Sequence, residues 1–262
     1  MKDELKLLFV GNSFSDNMIH ELYPIAKAFG LKKVKFCNLY IGGCTIETHY
    51  NNLISGAKAY VFREVSDNTN GEIISTYDVD LDYGFKNDTW DYISFQQASH
   101  MSGIEESYNL DYIKALGDKA MSMCKANNPN IKFLWHMTWA YQKDATHPDF
   151  YRYDYSQEKM YNSIISCVKN RIINNKYYEY TVIPSGMMIQ NLRNTYFGDT
   201  LTGDGYHLNE YGEAGIAILL IMCLTNKTRK DFNDNAINPV FKDHINTYFE
   251  CASKSIENIK KV

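Results

Sequence analysis

The sequence predicts an α/β protein: a three-layer α/β/α sandwich built on a five-stranded parallel sheet, with a β-hairpin insertion. Three observations lead there. Short apolar runs alternate with longer segments of helical spacing along the 262 residues, and strands that alternate with helices pair in parallel with helices on both faces. The apolar runs lack in-out alternation, as strands buried on both faces do. Hydrophobic residues make up 45% of the chain and charged ones 22%, enough apolar material for one dry core. No repeat, low-complexity tract or linker interrupts it, so residues 1–262 are expected to be one domain.

The elements follow in order. "LKLLFV" reads as the first buried strand, and the GNSFS turn follows it. "DNMIHELYPIAKAFG" has helical spacing at Met18, Ile19, Leu22, Ile25, Ala26 and Phe29, with Gly30 as a C-terminal cap and a kink expected at Pro24. "KVKFCNLYI" (33–41) is the second strand, ended by Gly42-Gly43, and Thr45 is placed to cap the helix of "TIETHYNNLI". Residues 58–89 break the rhythm: "AKAYVFREV" and "GEIISTYDV", joined by "SDNTNG", predict a hairpin inserted in the series. Alternation resumes with the strand "WDYISFQQ", a helix over 112–128, the strand "IKFLWHMTW", and a helix over 157–175. "YEYTVIPSG" is the fifth strand of the parallel set. A loop with "TGDGYHLNEYG", a helix over 212–225 and a terminal helix from about 239 complete the chain.

A net charge of −4 offers no electrostatic invitation to nucleic acid or an anionic membrane. The six cysteines lie far apart without a C-x-x-C pair, which argues against a zinc site or a disulfide framework. "AGIAILLIMCL" (214–224) is too short to span a bilayer and reads as a buried helix. No secretory leader precedes the first strand, so a cytoplasmic location is expected of this chain as written; a chain whose leader had been removed would look the same. His and acidic residues show no metal-ligand spacing, and no cofactor is expected.

In such a sheet, ligands bind where loops leave the strands' C-terminal ends. GNS, GG, QQ and DGYH all fall at such ends. Ser13 sits at a strand-to-helix turn, where free helix N–H groups favour negative charge; equally, Ser13 or Ser15 would serve as the N-cap of a helix beginning near Asp16. A nucleophilic serine needs an imidazole as base and a carboxylate to hold that imidazole's tautomer. "DGYHL" supplies Asp204 and His207, three residues apart, although an Asp capping a turn beside a surface His has the same spacing.

GNSFS near the start, the glycine pair after the second strand and DGYHLNEYG near the end together resemble the SGNH (GDSL-like) hydrolase superfamily. The resemblance implies a flavodoxin-like SGNH hydrolase fold with Ser13 as nucleophile, His207 as base and Asp204 as its orienting acid. It implies an oxyanion hole from the N–H of Ser13, the N–H of Gly42 or Gly43, and a side-chain amide after the third strand. There are two departures. Asn12 stands where many members have Asp. "FQQASH" (95–100) carries Gln where the family's third block has Asn, so Gln96, ahead of Gln97, is expected to donate that amide. Trp139, Tyr141 and His100, with His136, are candidates for lining a substrate pocket.

These features predict a serine esterase that hydrolyses a small acyl ester, acetyl for preference, on a carbohydrate or other small molecule. Two alternatives remain: an esterase or thioesterase for another small acyl group, and a carbohydrate-binding protein that kept the fold without turnover. Neither nucleic acid nor membrane is an expected partner, and the oligomeric state is open.

Overall fold

The computed structural model describes residues 3–124, 126 and 128–262, so Lys125 and Asn127, in the last turn expected of the 112–128 helix, lie outside the described residues. Seven strands form one sheet: β1 (Glu4–Gly11), β2 (Lys33–Tyr40), β3 (Tyr60–Ser66), β4 (Ile74–Val79), β5 (Tyr92–Phe95), β6 (Lys132–His136) and β7 (Tyr180–Ile183). Their order is β4-β3-β2-β1-β5-β6-β7. β1 pairs in parallel with β2 and β5, β5 with β6, and β6 with β7.

The hairpin corrects the expected sheet. β3 pairs antiparallel with β2, and β4 with β3, so the sheet is mixed and seven-stranded instead of five-stranded and parallel. Without them β2 would leave a row of backbone N–H and C=O groups unpaired at the edge. The register also sets Phe36 opposite Val65 and Leu39 opposite Phe62, so apolar side chains close over each other.

The helices are α1 (Ser13–His20), α2 (Leu22–Ala28), α3 (Ile46–Ser55), α4 (Leu81–Lys86), α5 (Leu110–Cys124), α6 (Gln157–Cys167), α7 (Ser185–Arg193), α8 (Glu210–Thr225) and α9 (Ile245–Ile259). They cover both faces of the sheet. In β2, Asn38 turns to α1 and bonds Asp16, while Leu39 turns to the opposite face and packs on α4 so closely that a Cβ on Gly84 would lie 2.4 Å from it. On the first side α1, α2, α7 and α9 gather around the apolar α8; on the other, α3 and α4 pack on α5. Among the described residues no helix is long and apolar enough to cross a membrane.

Several element boundaries differ from the sequence reading. The single helix expected over 16–30 is two, broken at Glu21. Pro24 has no N–H for the His20 carbonyl and its ring would collide with it, so the break falls a turn earlier than the proline. Gly30, at φ +76°, does terminate this segment. α1 begins at Ser13, and its N-cap is Asn12 instead of either serine: Asn12 Oδ1 accepts the Phe14 N–H at 3.0 Å. Thr45 caps α3 by accepting the Thr48 N–H at 3.1 Å. The 58–89 segment also contains α4, capped by Asp80. The 157–175 helix is α6 followed by one wider π-turn, Val168–Ile173. α7 was not expected at all, since Pro184 closes the strand and the helix starts at the next residue.

Candidate active site

β1 is the strand at which the chain order reverses, with β2 on one side and β5 on the other. The loops leaving these three strands flank the crevice that this reversal opens. Ser13, Gly42-Gly43 and Gln96-Gln97 lie in those loops. The 202–208 turn comes from further along the chain and meets them.

Ser13 is the first residue of α1 and is half-buried. Asn12 shapes the turn: its carbonyl accepts the N–H of Ser15 at 3.0 Å and of Asp16 at 3.2 Å, and its side chain takes Phe14. The N–H groups of Ser13, Gly42 and Gly43 have no hydrogen-bond partner among the described residues. Three backbone donors are therefore left free at this end of the sheet, and Gly43 reaches its conformation at φ +61°.

The imidazole arrives on a turn closed by the Thr202–Leu208 bridge and by Gly203 N–H donating to the His207 carbonyl at 2.9 Å. Asp204 Oδ1 accepts the N–H of Tyr206 at 3.0 Å and of His207 at 2.7 Å. Its other oxygen accepts His207 Nδ1–H at 2.7 Å, which fixes the tautomer and leaves Nε2 as the acceptor. Ser13 Oγ stands 2.8 Å from that Nε2. Partial burial pulls the Asp204 carboxyl upward, but the N–H donors and the imidazole outweigh it and hold it below the usual carboxylate range. Asp204, His207 and Ser13 thus form a continuous hydrogen-bonded series in which a proton can pass from the hydroxyl to the ring.

The two glutamines are placed differently from the sequence expectation. Gln96 and Gln97 are each 1% exposed. Gln96 Nε2 donates to Asn12 Oδ1 at 2.6 Å, and Gln97 Nε2 donates to the carbonyl and hydroxyl of Ser107 at 2.9 and 3.1 Å. Both side chains are buried with these partners, so the oxyanion role expected of them has no exposed amide donor behind it. The expected aromatic lining is corrected in the same way. Trp139 and Tyr141 are fully buried, the first stacked on Phe14 at 4.2 Å and the second bonded to Ser99 at 2.9 Å. His136 is buried as well, and burial pushes its pKa down to about 3. His100 is half-buried and stacks on His147. The rings that border His207 are Tyr206 at 4.5 Å and Phe14 at 5.9 Å, with His147 beyond, 4.8 Å from Tyr206. Tyr206 lies within the DGYH run, but nothing local in the sequence pointed to His147. Among the described residues no three His, Cys, Asp or Glu side chains gather as a metal site requires.

The family model described as "Domain of unknown function (DUF4886)" matches residues 6–248. The chain belongs to the DUF4886 family. A DUF4886 family protein from Bacteroides uniformis ATCC 8492, known from a crystal structure, is 33% identical to it, with a TM-score of 0.85 over 97% of this chain and 95% of that one. A candidate SGNH hydrolase from Slackia heliotrinireducens is similar in fold, at 16% identity and a TM-score of 0.51 over 85% of this chain and 99% of that one. A search of curated protein sequences found no match.

In this DUF4886 chain two further buried groups brace the site, and neither was singled out in the sequence. Asn17 clamps the residue after His207: its Oδ1 accepts Leu208 N–H at 3.2 Å and its Nδ2 donates to the Leu208 carbonyl at 3.3 Å. Glu213 of α8 accepts from the same Nδ2 at 2.6 Å and from His20, whose pKa it raises by that bond. Asp16 accepts from Asn38 at 2.7 Å and pairs with Arg63, whose guanidinium also lies 4.0 Å from the Tyr40 ring. The β3–β4 hairpin is thereby tied to α1. A polar residue amid helical apolar spacing, as Asn17 is, was the one available signal.

Proposed function

We propose that this protein is a serine esterase acting on a small acyl ester through an acyl-enzyme on Ser13. The observation that carries this reading is the Ser13 Oγ to His207 Nε2 contact of 2.8 Å, in series with His207 Nδ1–H on Asp204 at 2.7 Å. Nucleophile, base and orienting carboxylate are the three parts that acyl transfer by a serine requires.

His207 Nε2 takes the Ser13 proton as Oγ attacks the ester carbonyl, and Asp204 steadies the imidazolium that forms. The free N–H of Ser13 and that of Gly42 or Gly43 receive the oxyanion, being preset donors that need no reorganisation. The imidazolium then gives its proton to the departing alkoxide. Water, deprotonated by the same nitrogen, attacks the acyl-serine and releases the acid. For substrate the reading is an acetyl group on a carbohydrate, an inference from the SGNH resemblance; the partly exposed rings that run from the base through Tyr206 and His147 to His100 suit a polar ring-shaped ligand.

The test is fluorophosphonate labelling with p-nitrophenyl acetate turnover, followed by a screen of acetylated sugars. Label that appears on the wild type and vanishes in Ser13→Ala is the expected result. Sugar binding without label or turnover by the wild type would replace the esterase with a binding protein.

A further inference from the structure

We infer that Gln96 is a positioning residue that holds the Gly42-Gly43 loop in place relative to Ser13, acting through Asn12. This rests on the reading of Ser13 as the nucleophile. It deepens that reading by giving the glutamine of the third loop a role other than donating to the substrate.

Donor and acceptor counting leaves the relay no freedom. The Phe14 backbone N–H can only donate, so the Asn12 atom 3.0 Å from it is the oxygen, and the Gln96 atom facing that oxygen at 2.6 Å is the nitrogen. Gln96 Oε1 is left to accept the Ser15 hydroxyl at 2.5 Å and His136 Nδ1–H at 2.8 Å. Asn12 Nδ2 is left to donate to the Cys44 carbonyl at 3.1 Å. Cys44 N–H closes back on the Ile41 carbonyl at 3.3 Å, so the two glycines sit in a turn pinned from its far end. Asn12, Ser15, Gln96 and His136 are each 1% exposed and Cys44 is 2% exposed, so water does not compete for these bonds. Gly11 makes the approach possible: a Cβ there would lie 2.1 Å from Ser15 Oγ and 3.3 Å from Gln96 Cδ.

The relay also accounts for Asn12 standing where the resembling family carries Asp. An aspartate could accept from Gln96 and Phe14, but it has no hydrogen for the Cys44 carbonyl and would set an anion against it.

The experiment compares Gln96→Met, Asn12→Asp and the double variant. Each single change is expected to lower kcat on p-nitrophenyl acetate about 10- to 100-fold with KM changed less than about threefold, since a displaced oxyanion loop costs transition-state binding. The double variant should be no worse than about twofold below the poorer single one, because both cut the same relay. Hydrogen exchange at the Cys44 amide should rise about tenfold or more in Gln96→Met, a readout that does not depend on activity. Multiplicative losses in the double variant, or unchanged exchange at Cys44, would overturn the inference. If Gln96→Met fails to fold, the isosteric Gln96→Glu, which cannot donate to Asn12 as a carboxylate, is read the same way. A wild type that takes no label on Ser13 sinks the esterase reading instead, and the exchange measurement still decides the relay.

Discussion

Ser13 and His207 meet at 2.8 Å, yet the supports behind them are of opposite kinds. Behind Ser13 stands a dry polar relay, Asn12, Ser15, Gln96 and His136, each 1% exposed. Behind His207 is a turn whose carboxylate, Asp204, is exposed, and whose tethers come from two places: Asn17 from α1, and from the loop after β6 Trp139 and Gln142, whose N–H meets the Gly205 carbonyl at 2.7 Å. In the dry relay, removing one partner strands another with no water to replace it. At Gly205 and Tyr206 on the exposed part of the turn water can substitute for a lost bond, whereas the Asn17 bonds to buried Leu208 are like the relay in having no such substitute. The difference teaches that a break in the dry relay should cost more stability than a break in the exposed part of the turn, where water takes over the lost bond.

The sharpest test removes the two groups proposed to react. Ser13→Ala and His207→Ala should each lower kcat about 10⁴-fold or more with little change in melting temperature, and the pair together should cost no more than either alone. Asp204→Asn should cost less than His207→Ala, because the imidazole remains and only its tautomer and orientation suffer. Steady-state kinetics on p-nitrophenyl acetate across the set checks the order. Equal activity in Ser13→Ala would remove the serine from the chemistry.

Acid separates the sides next. His136 behind the nucleophile and His49, which bonds Tyr60 at 3.0 Å, are both fully buried, and burial pushes each pKa from 6.5 down to about 3. Their neutral forms belong to the folded state, while the unfolded chain takes up protons below about pH 6.5. The unfolded state therefore binds more protons between those values, and stability falls as pH drops from 6.5 towards 3. Melting temperature followed from pH 7 to 4 should fall steadily, and His136→Gln should make that slope shallower. An unchanged slope would show that His136 carries no such linkage.

Much of this was legible in the sequence, and the reasons for the rest are physical. β1, β2, β5 and β6 read as apolar runs because most of their residues are buried on both faces, while β7, with Thr181 exposed, was marked by its β-branched and aromatic residues. The GNS turn and DGYH are local motifs, so their residues could be named before their meeting was known. Whether the 58–89 hairpin stands apart or extends the sheet depends on β2–β3 pairing, a tertiary contact with no local mark. The same holds for Gln96: a glutamine at a strand end reads alike whether it faces a cleft or a buried histidine. Trp139 and Tyr141 misled for a related reason, since an aromatic after a strand fits a core as well as a pocket. α7 was hidden because Pro184, a strand breaker, stands directly before it with no polar cap to announce a helix.

A smaller effect probes the tether most specific to the base side. Asn17→Ala removes both bonds to Leu208 and leaves Glu213 with His20 alone. The His207 turn should loosen, lowering kcat about tenfold while KM holds, since slight misplacement of a catalytic group is costly. Stability should fall by about 1–3 kcal/mol, as the Leu208 main-chain groups are buried and lose their partners. A variant as active as wild type would mean that Asp204 alone positions the ring.

Smallest of all should be Trp139→Phe. The indole does two jobs: it stacks on Phe14, the residue after the nucleophile, at 4.2 Å with the planes 18° apart, and its Nε1–H donates to the Tyr206 carbonyl at 2.8 Å. Phenylalanine keeps a ring against Phe14 but loses the donor and some volume. Tyr206 is only partly buried, so its carbonyl can turn to water and the lost bond should cost about 1 kcal/mol, with the smaller ring adding a comparable cavity cost. That is a fall of a few degrees in melting temperature, with kcat within about threefold of wild type. Trp139 touches both supports, which makes it a good place to find the contrast wrong. If Trp139→Phe lowers kcat as far as Asn17→Ala does, the two sides move as one body through this ring, and treating them as independently built would have to be abandoned.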